Sequence, residues 1–263
     1  MRHNVRPMND AIVSALKTIE AERGVRVLFA VESGSRAWGF ASPDSDYDVR
    51  FVYVHPVEHY LSIRERRDVI EAELPGDLDL AGWDLRKALG LLAKSNPSLH
   101  EWLRSPIVYS RDETFMSEFV PLANAWLSET ALLKHYLSMA RTNWNAYLQG
   151  EQVSRKKYLY VFRPVLAARW IEKGLGAPPM LFSELRARTL DEPRVNAALD
   201  RLLEDKAKNV EMSLAPRDPD LHGFLGPEIE RLSGLDFEPK KCRDDAELDA
   251  FFRKWIGFNC ETV

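Results

Sequence analysis

The segment VRVLFAVES, residues 25–33, is a predominantly apolar run of strand length. Such a run reads as a strand buried on both faces, so the chain must build a sheet with cover on each side. A second strand is predicted over 46–54, DYDVRFVYV, which is rich in β-branched and aromatic residues. RDVIEAEL and DLDLAGW, separated by Pro75-Gly76, read as a hairpin. Ahead of these strands, Met8, Ile12, Val13, Leu16 and Ile19 recur at helical spacing over 8–23. Asn9 or Asp10 is the expected cap of that helix and Gly24 its stop. Asp84 is the expected N-cap of a further helix, DLRKALGLLAKS, which ends before Asn96-Pro97.

From about residue 115 the pattern turns helical. Residues 128–150 and 153–174 are long amphipathic stretches, with Gly150 and Gly174 at their expected C-terminal ends. APPM at 177–180 reads as a linker or turn, and shorter helices are expected at 191–208, 226–233 and 244–256. The fold class is therefore α+β, a mixed head over 1–112 followed by an all-helical domain over 113–263.

Composition narrows the function classes. Hydrophobic residues make up 45% and charged residues 29%, which excludes disorder, collagen and coiled coil. Thirty-six basic against 40 acidic residues give a net charge of −4, which argues against a globally basic nucleic-acid coat and leaves room for a local basic groove. Cys242 and Cys260 lack metal-ligand spacing and suggest a reducing compartment. MRHNVRPMND has no apolar signal core and no apolar run approaches the ~18 residues of a membrane span, so a cytoplasmic protein is expected.

The chemistry concentrates in 31–54. A buried strand ends in Gly34-Ser35, a loop with Gly39 and Pro43 follows, and the next strand opens on Asp46-Tyr47-Asp48. Side chains alternate along a strand, so Asp46 and Asp48 point to one side. Two adjacent carboxylates repel unless a cation neutralises them, and hard oxygen ligands suit Mg2+ or Mn2+. Gly34-Ser35 offers backbone N–H groups and a hydroxyl to phosphate oxygens. Phosphate binding beside paired carboxylates is the layout of metal-assisted phosphoryl transfer.

Gly-Ser, a loop of about ten residues, then Asp-x-Asp resembles the signature of the DNA polymerase β-like nucleotidyltransferase superfamily. The fuller form, GSRAWGFASPDSDYD, with GWDLRKAL, NPSLHEWLRSPIVY and KKYLYVFRPVLAARW, resembles its RNA-repair-associated branch. The resemblance implies that Gly34 and Ser35 hold the β- and γ-phosphates of a nucleoside triphosphate (NTP), and that Asp46 and Asp48 ligate the metal. It also implies a third carboxylate on a later strand, near the acceptor hydroxyl, which accepts that hydroxyl's proton or ligates the metal with Asp46 and Asp48. Asp79 is preferred, because Leu78 and Leu80 point the other way, whereas Asp77 follows Pro75-Gly76 as a turn residue. The implied reaction moves a nucleoside monophosphate from an NTP to an acceptor hydroxyl, with an RNA end preferred. A protein or small-molecule acceptor, or a non-catalytic nucleotide-binding protein, is the alternative.

Arg36 is within reach of a phosphate. Arg50 continues the Asp46/Asp48 face as a carboxylate partner or a phosphate contact. Lys156, Tyr160 and Arg163 fall at i, i+4 and i+7 and are expected to turn one basic-aromatic face toward the nucleotide. Trp38 reads as a packing anchor. Arg64, Arg66 and Arg67 are candidates to line an RNA groove with Lys156 and Arg163. His55-Pro56-Val57-Glu58-His59 imitates an inverted zinc-peptidase motif, but it leaves a strand through a proline and reads as a surface helix start.

Overall fold

Ile12, Leu16 and Ile19 form one buried stripe on α1 (Val5–Arg23), which packs on a five-stranded sheet. The computed structural model describes residues 5–74, 77–208, 214–235 and 243–257. Cys242, Cys260 and the Pro75-Gly76 turn lie outside them. α1 begins ahead of Asn9 and Asp10, since the first turn accepts Pro7, whose missing N–H has no helical partner there. The helix ends at Gly24, which takes φ +60.

The head continues with β1 (Arg26–Glu32), α2 (Gly34–Ala37), β2 (Tyr47–Val54), α3 (Val57–Tyr60), β3 (Val69–Leu74), β4 (Leu78–Asp84), α4 (Leu85–Ala93), α5 (Pro97–Trp102), β5 (Val108–Arg111) and α6 (Glu113–Ala125). The helical half comprises α7 (Glu129–Tyr147), β6 (Gln152–Ser154), α8 (Arg155–Glu172), α9 (Phe182–Thr189), α10 (Pro193–Ala207), β7 (Leu214–Pro216), α11 (Pro219–Ser233) and α12 (Ala246–Trp255). The sheet order is β3-β4-β2-β1-β5. β2 and β4 run parallel, and the other neighbours antiparallel.

Both sheet faces are covered, as the apolar β1 run requires. Ala30, Val49, Phe51 and Leu80 meet α1 on one face. Leu28, Phe29, Val52 and Val54 meet α4, α6 and α12 on the other, through Leu89, Phe115, Phe119 and Leu248. Asp84 caps α4 by accepting from the Arg86 N–H, as its position predicts. The expected 226–233 helix starts earlier, at Pro219, because Asp218 accepts from the Asp220 and Leu221 N–H groups.

A separate core fills the helical half around α8, where every residue from Val161 to Ala168 is buried. Phe40, from the loop between β1 and β2, belongs to this second core. The loop after Gly34-Ser35 is thereby docked against the helices. Among the described residues, no helix is long and apolar enough to cross a membrane.

Candidate active site

β1 ends beside the start of β2, where three backbone features fix the loop between them. The Ser33 N–H donates to the Asp48 carbonyl at 2.8 Å. The Asp48 N–H donates to Glu32 Oε1 at 2.8 Å. Gly34 then turns the chain at φ +61, and a Cβ there would fall 2.0 Å from Asp48 Oδ2. Only glycine lets the backbone approach this carboxylate so closely. Gly34 and Ser35 open the one-turn helix α2, not the bare loop expected from the sequence.

The loop is braced by its own polar groups. Ser42 and Ser45 exchange hydrogen bonds at 2.9 and 3.0 Å. Arg36 donates to the Ser45 carbonyl at 2.6 Å and the Asp46 carbonyl at 3.0 Å, and its guanidinium lies 3.7 Å over the Tyr47 ring. Arg36 is thus engaged in holding Asp46 at the loop's end. Asp46 precedes β2 and is exposed, while Asp48 is the second residue of the strand.

Ser33, Gly34, Ser35, Trp38, Ser42, Asp44, Ser45, Asp46, Asp48 and Arg50 line a cleft of about 360 Å³, closed from the helical half by Lys156 and Tyr160. Asp79 faces Asp48 across the parallel β2–β4 pair. Arg50 Nη2 lies 3.0 Å from Asp48 Oδ1 and 2.8 Å from Asp79 Oδ2. Asp77 takes φ +58 in the turn and offers its carbonyl to the Tyr47 N–H at 2.8 Å.

Electrostatically the cleft is a place of crowded negative charge. Burial pushes the Asp48 carboxyl above the usual range, Asp79 and Asp46 add to that, and Arg50 opposes it. The Tyr160 hydroxyl is raised by burial and by the charges of Asp48 and Asp46. Glu32, fully buried behind Asp48, is raised to about 7 by burial, against the hydrogen bonds from Tyr109 and from the Asp48 N–H. The donor set of Asp46, Asp48 and Asp79 is entirely carboxylate oxygen, which fits a hard divalent cation. No group of three or more His, Cys, Asp or Glu side chains is gathered around one point among the described residues. Arg50 occupies the position between Asp48 and Asp79.

Arg163 does not line the cleft. It is 3% exposed, with Nη1 2.8 Å from Glu101 Oε1 and its guanidinium 4.6 Å from the Trp38 ring. The i, i+4, i+7 rule fails here because α8 enters the core after Tyr160 and is packed on every side. Arg64, Arg66 and Arg67 are also away from the cleft. They line a second cleft of about 430 Å³ with His59, Tyr60 and Arg86. That cleft opens beyond the other end of β2, roughly 20 Å from Asp48 at strand rise, so these arginines share no groove with Lys156. His55 and His59 stack their rings 3.5 Å apart around the single turn of α3. Glu32 and Lys206 were not singled out from sequence. The legible signal for Glu32 is an acidic residue closing an apolar strand, with one residue between it and Gly34-Ser35.

The Gly34-Ser35 turn beside Asp46 and Asp48 on a mixed sheet is the arrangement that the resemblance to polymerase β-like nucleotidyltransferases predicts. Residues 8–254 match the RNA repair pathway DNA polymerase beta family, and the chain belongs to that family. It is 48% identical over 225 residues to the uncharacterized protein YcgL of Bacillus subtilis (strain 168), a match covering 86% of each chain. A nucleotidyltransferase-like protein from Exiguobacterium sibiricum 255-15 aligns over 92% of this chain and 80% of its own, at 15% identity and a TM-score of 0.34.

Proposed function

We propose that the cleft transfers a nucleoside monophosphate from an NTP to an acceptor hydroxyl, with an RNA end as acceptor. The observation that carries this reading is the convergence of Gly34, Ser35, Asp46, Asp48, Lys156 and Tyr160 on one cleft from both halves of the chain. Gly34 and Ser35 present backbone N–H groups and a hydroxyl to the phosphates. Lys156 adds positive charge and Tyr160 a ring face for the base. Asp46 and Asp48 would hold Mg2+ or Mn2+, which would neutralise phosphate charge and lower the pKa of the acceptor hydroxyl. Asp79, whose carboxylate Arg50 holds, would accept the hydroxyl's proton or ligate the metal as the new phosphoester bond forms and pyrophosphate departs. Arg36 and Arg163 serve as supports, one for the Asp46 loop and one for Trp38.

The family's RNA-repair designation favours an RNA acceptor. The placement of Arg64, Arg66 and Arg67 at the far end of the sheet favours the second reading, a protein or small-molecule acceptor that needs no extended basic track. Incubation with each labelled NTP, Mg2+ and RNA, protein or small-molecule acceptors separates the two by where label lands. Absence of transfer to any acceptor overturns the nucleotidyl-transfer assignment for this cleft.

A further inference from the structure

Lys206, in the last turn of α10, is 4% exposed. Its ammonium reaches out of the helical half to Ser42 Oγ at 3.2 Å, in the loop that lines the cleft. The Phe40 ring lies 5.9 Å away. No carboxylate of the described residues forms an ion pair with it. A buried ammonium without a counter-ion is unfavourable, and such charges are retained where an anion completes them. Burial disfavours the proton of this ammonium, the charge of Lys156 adds to that, and Asp44 opposes it. Ser42, Asp44 and Lys156 line the cleft together. Lys206, on α10, is thus tied by one hydrogen bond to Ser42, in the wall of the cleft that Lys156, on α8, also lines.

We propose that Lys206 and Lys156 form an anion pocket for the outer phosphates of the nucleotide, whose charge completes that of the Lys206 ammonium. The inference rests on the reading that this cleft takes an NTP, and it adds a cause of selectivity for the triphosphate. The outer phosphates complete a buried charge that a nucleoside monophosphate is too short to reach. Ser42 orients the Lys206 ammonium, and Ser45 orients Ser42 in turn.

Binding is measured on the full chain in EDTA, by titration calorimetry and thermal shift, with inorganic tripolyphosphate, the four NTPs and the four nucleoside monophosphates. Lys206→Met is expected to weaken NTP and tripolyphosphate binding about tenfold, the size of one charge-assisted contact, and to leave monophosphate binding unchanged. Its ligand-free Tm should rise, because a thioether chain of similar length replaces a lone buried charge. Lys206→Arg should retain most of the tripolyphosphate affinity, and Asp44→Asn should increase it. Equal losses for NTP and monophosphate in Lys206→Met would reduce Lys206 to a support for Ser42 and overturn the inference, as would no loss at all. Tripolyphosphate binding through Lys206 without any NTP binding would uphold the pocket and overturn the nucleotide reading instead.

Discussion

Asp48 and Asp79 stand opposite each other in the parallel register of β2 and β4, and one amine of Arg50 lies within 3.0 Å of both carboxylates. The guanidinium acts as an internal cation where the two acids would otherwise repel. Burial and the neighbouring acids still leave the ionised form of Asp48 disfavoured. Asp48→Asn should therefore keep or raise thermal stability at pH 8 while lowering turnover at least about a hundredfold. Labelled-NTP transfer and a melting curve on the same sample check both halves. Near-normal turnover would remove Asp48 from the machinery.

Glu32 gives the fold a pH dependence of defined sign. In the folded chain its carboxyl keeps its proton up to about pH 7, whereas the ordinary value is 4.5. Between these values the folded state binds more protons than the unfolded one, so stability falls as pH rises from about 4.5 to about 7. The loss is on the order of 3 kcal/mol. Glu32→Gln should flatten this decline, as read from urea midpoints at pH 5 and pH 8.

Gly34→Ala should fail on two counts. The added Cβ would meet Asp48 Oδ2 at 2.0 Å, and φ +61 is strained for alanine. A stability loss of at least about 1 kcal/mol is expected, with a larger proportional loss of turnover as Asp48 is pushed aside. Denaturation and transfer assays on the purified variant measure the two effects separately.

These residues also mark what the sequence could and could not tell. Gly34, Asp46 and Asp48 lie within one strand-loop-strand unit, so spacing alone brings them together. Asp79 was readable through strand alternation, with Leu78 and Leu80 buried on the opposite side. Lys206 lies 164 residues from Ser42, and nothing in α10 sets it apart from a solvated lysine. Arg163 misled because a helical wheel gives faces but not their surroundings, and α8 is central to its bundle. The β6–β7 pair joins segments about sixty residues apart and carried no local signal.

Arg163 and Lys156 should separate cleanly when each is replaced. Arg163→Met leaves Glu101 buried with Tyr136 as its remaining partner, and should cost about 3–5 kcal/mol of stability. Its effect on NTP affinity, measured below the melting transition, should be small. Lys156→Ala should do the reverse, leaving stability within about 1 kcal/mol of wild type and weakening NTP binding, less so at high salt, where the lost attraction is already screened.

Arg66 tests whether RNA reaches the far end of the sheet. Arg66→Glu should leave NTP binding unchanged, since the residue belongs to the cleft beyond the opposite end of β2. A bound RNA strand spanning both clefts would lose affinity at low salt, and the difference would shrink as salt rises. Equal RNA binding by both proteins would confine the acceptor to the neighbourhood of Asp48.

The return of α12 to the sheet ties function to the order in which the chain is made. Leu248 is buried against the β1 side of the head, Phe251 packs on Phe115 and Phe119, and Trp255 donates to Glu118. The strand that leads into the Gly34-Ser35 turn thus has part of its cover supplied by residues far downstream in the chain. A nascent chain emerging from the ribosome holds every cleft residue well before it holds that cover. A chain cut short upstream of residue 246 would therefore carry a complete set of cleft residues on a head with one flank open to solvent.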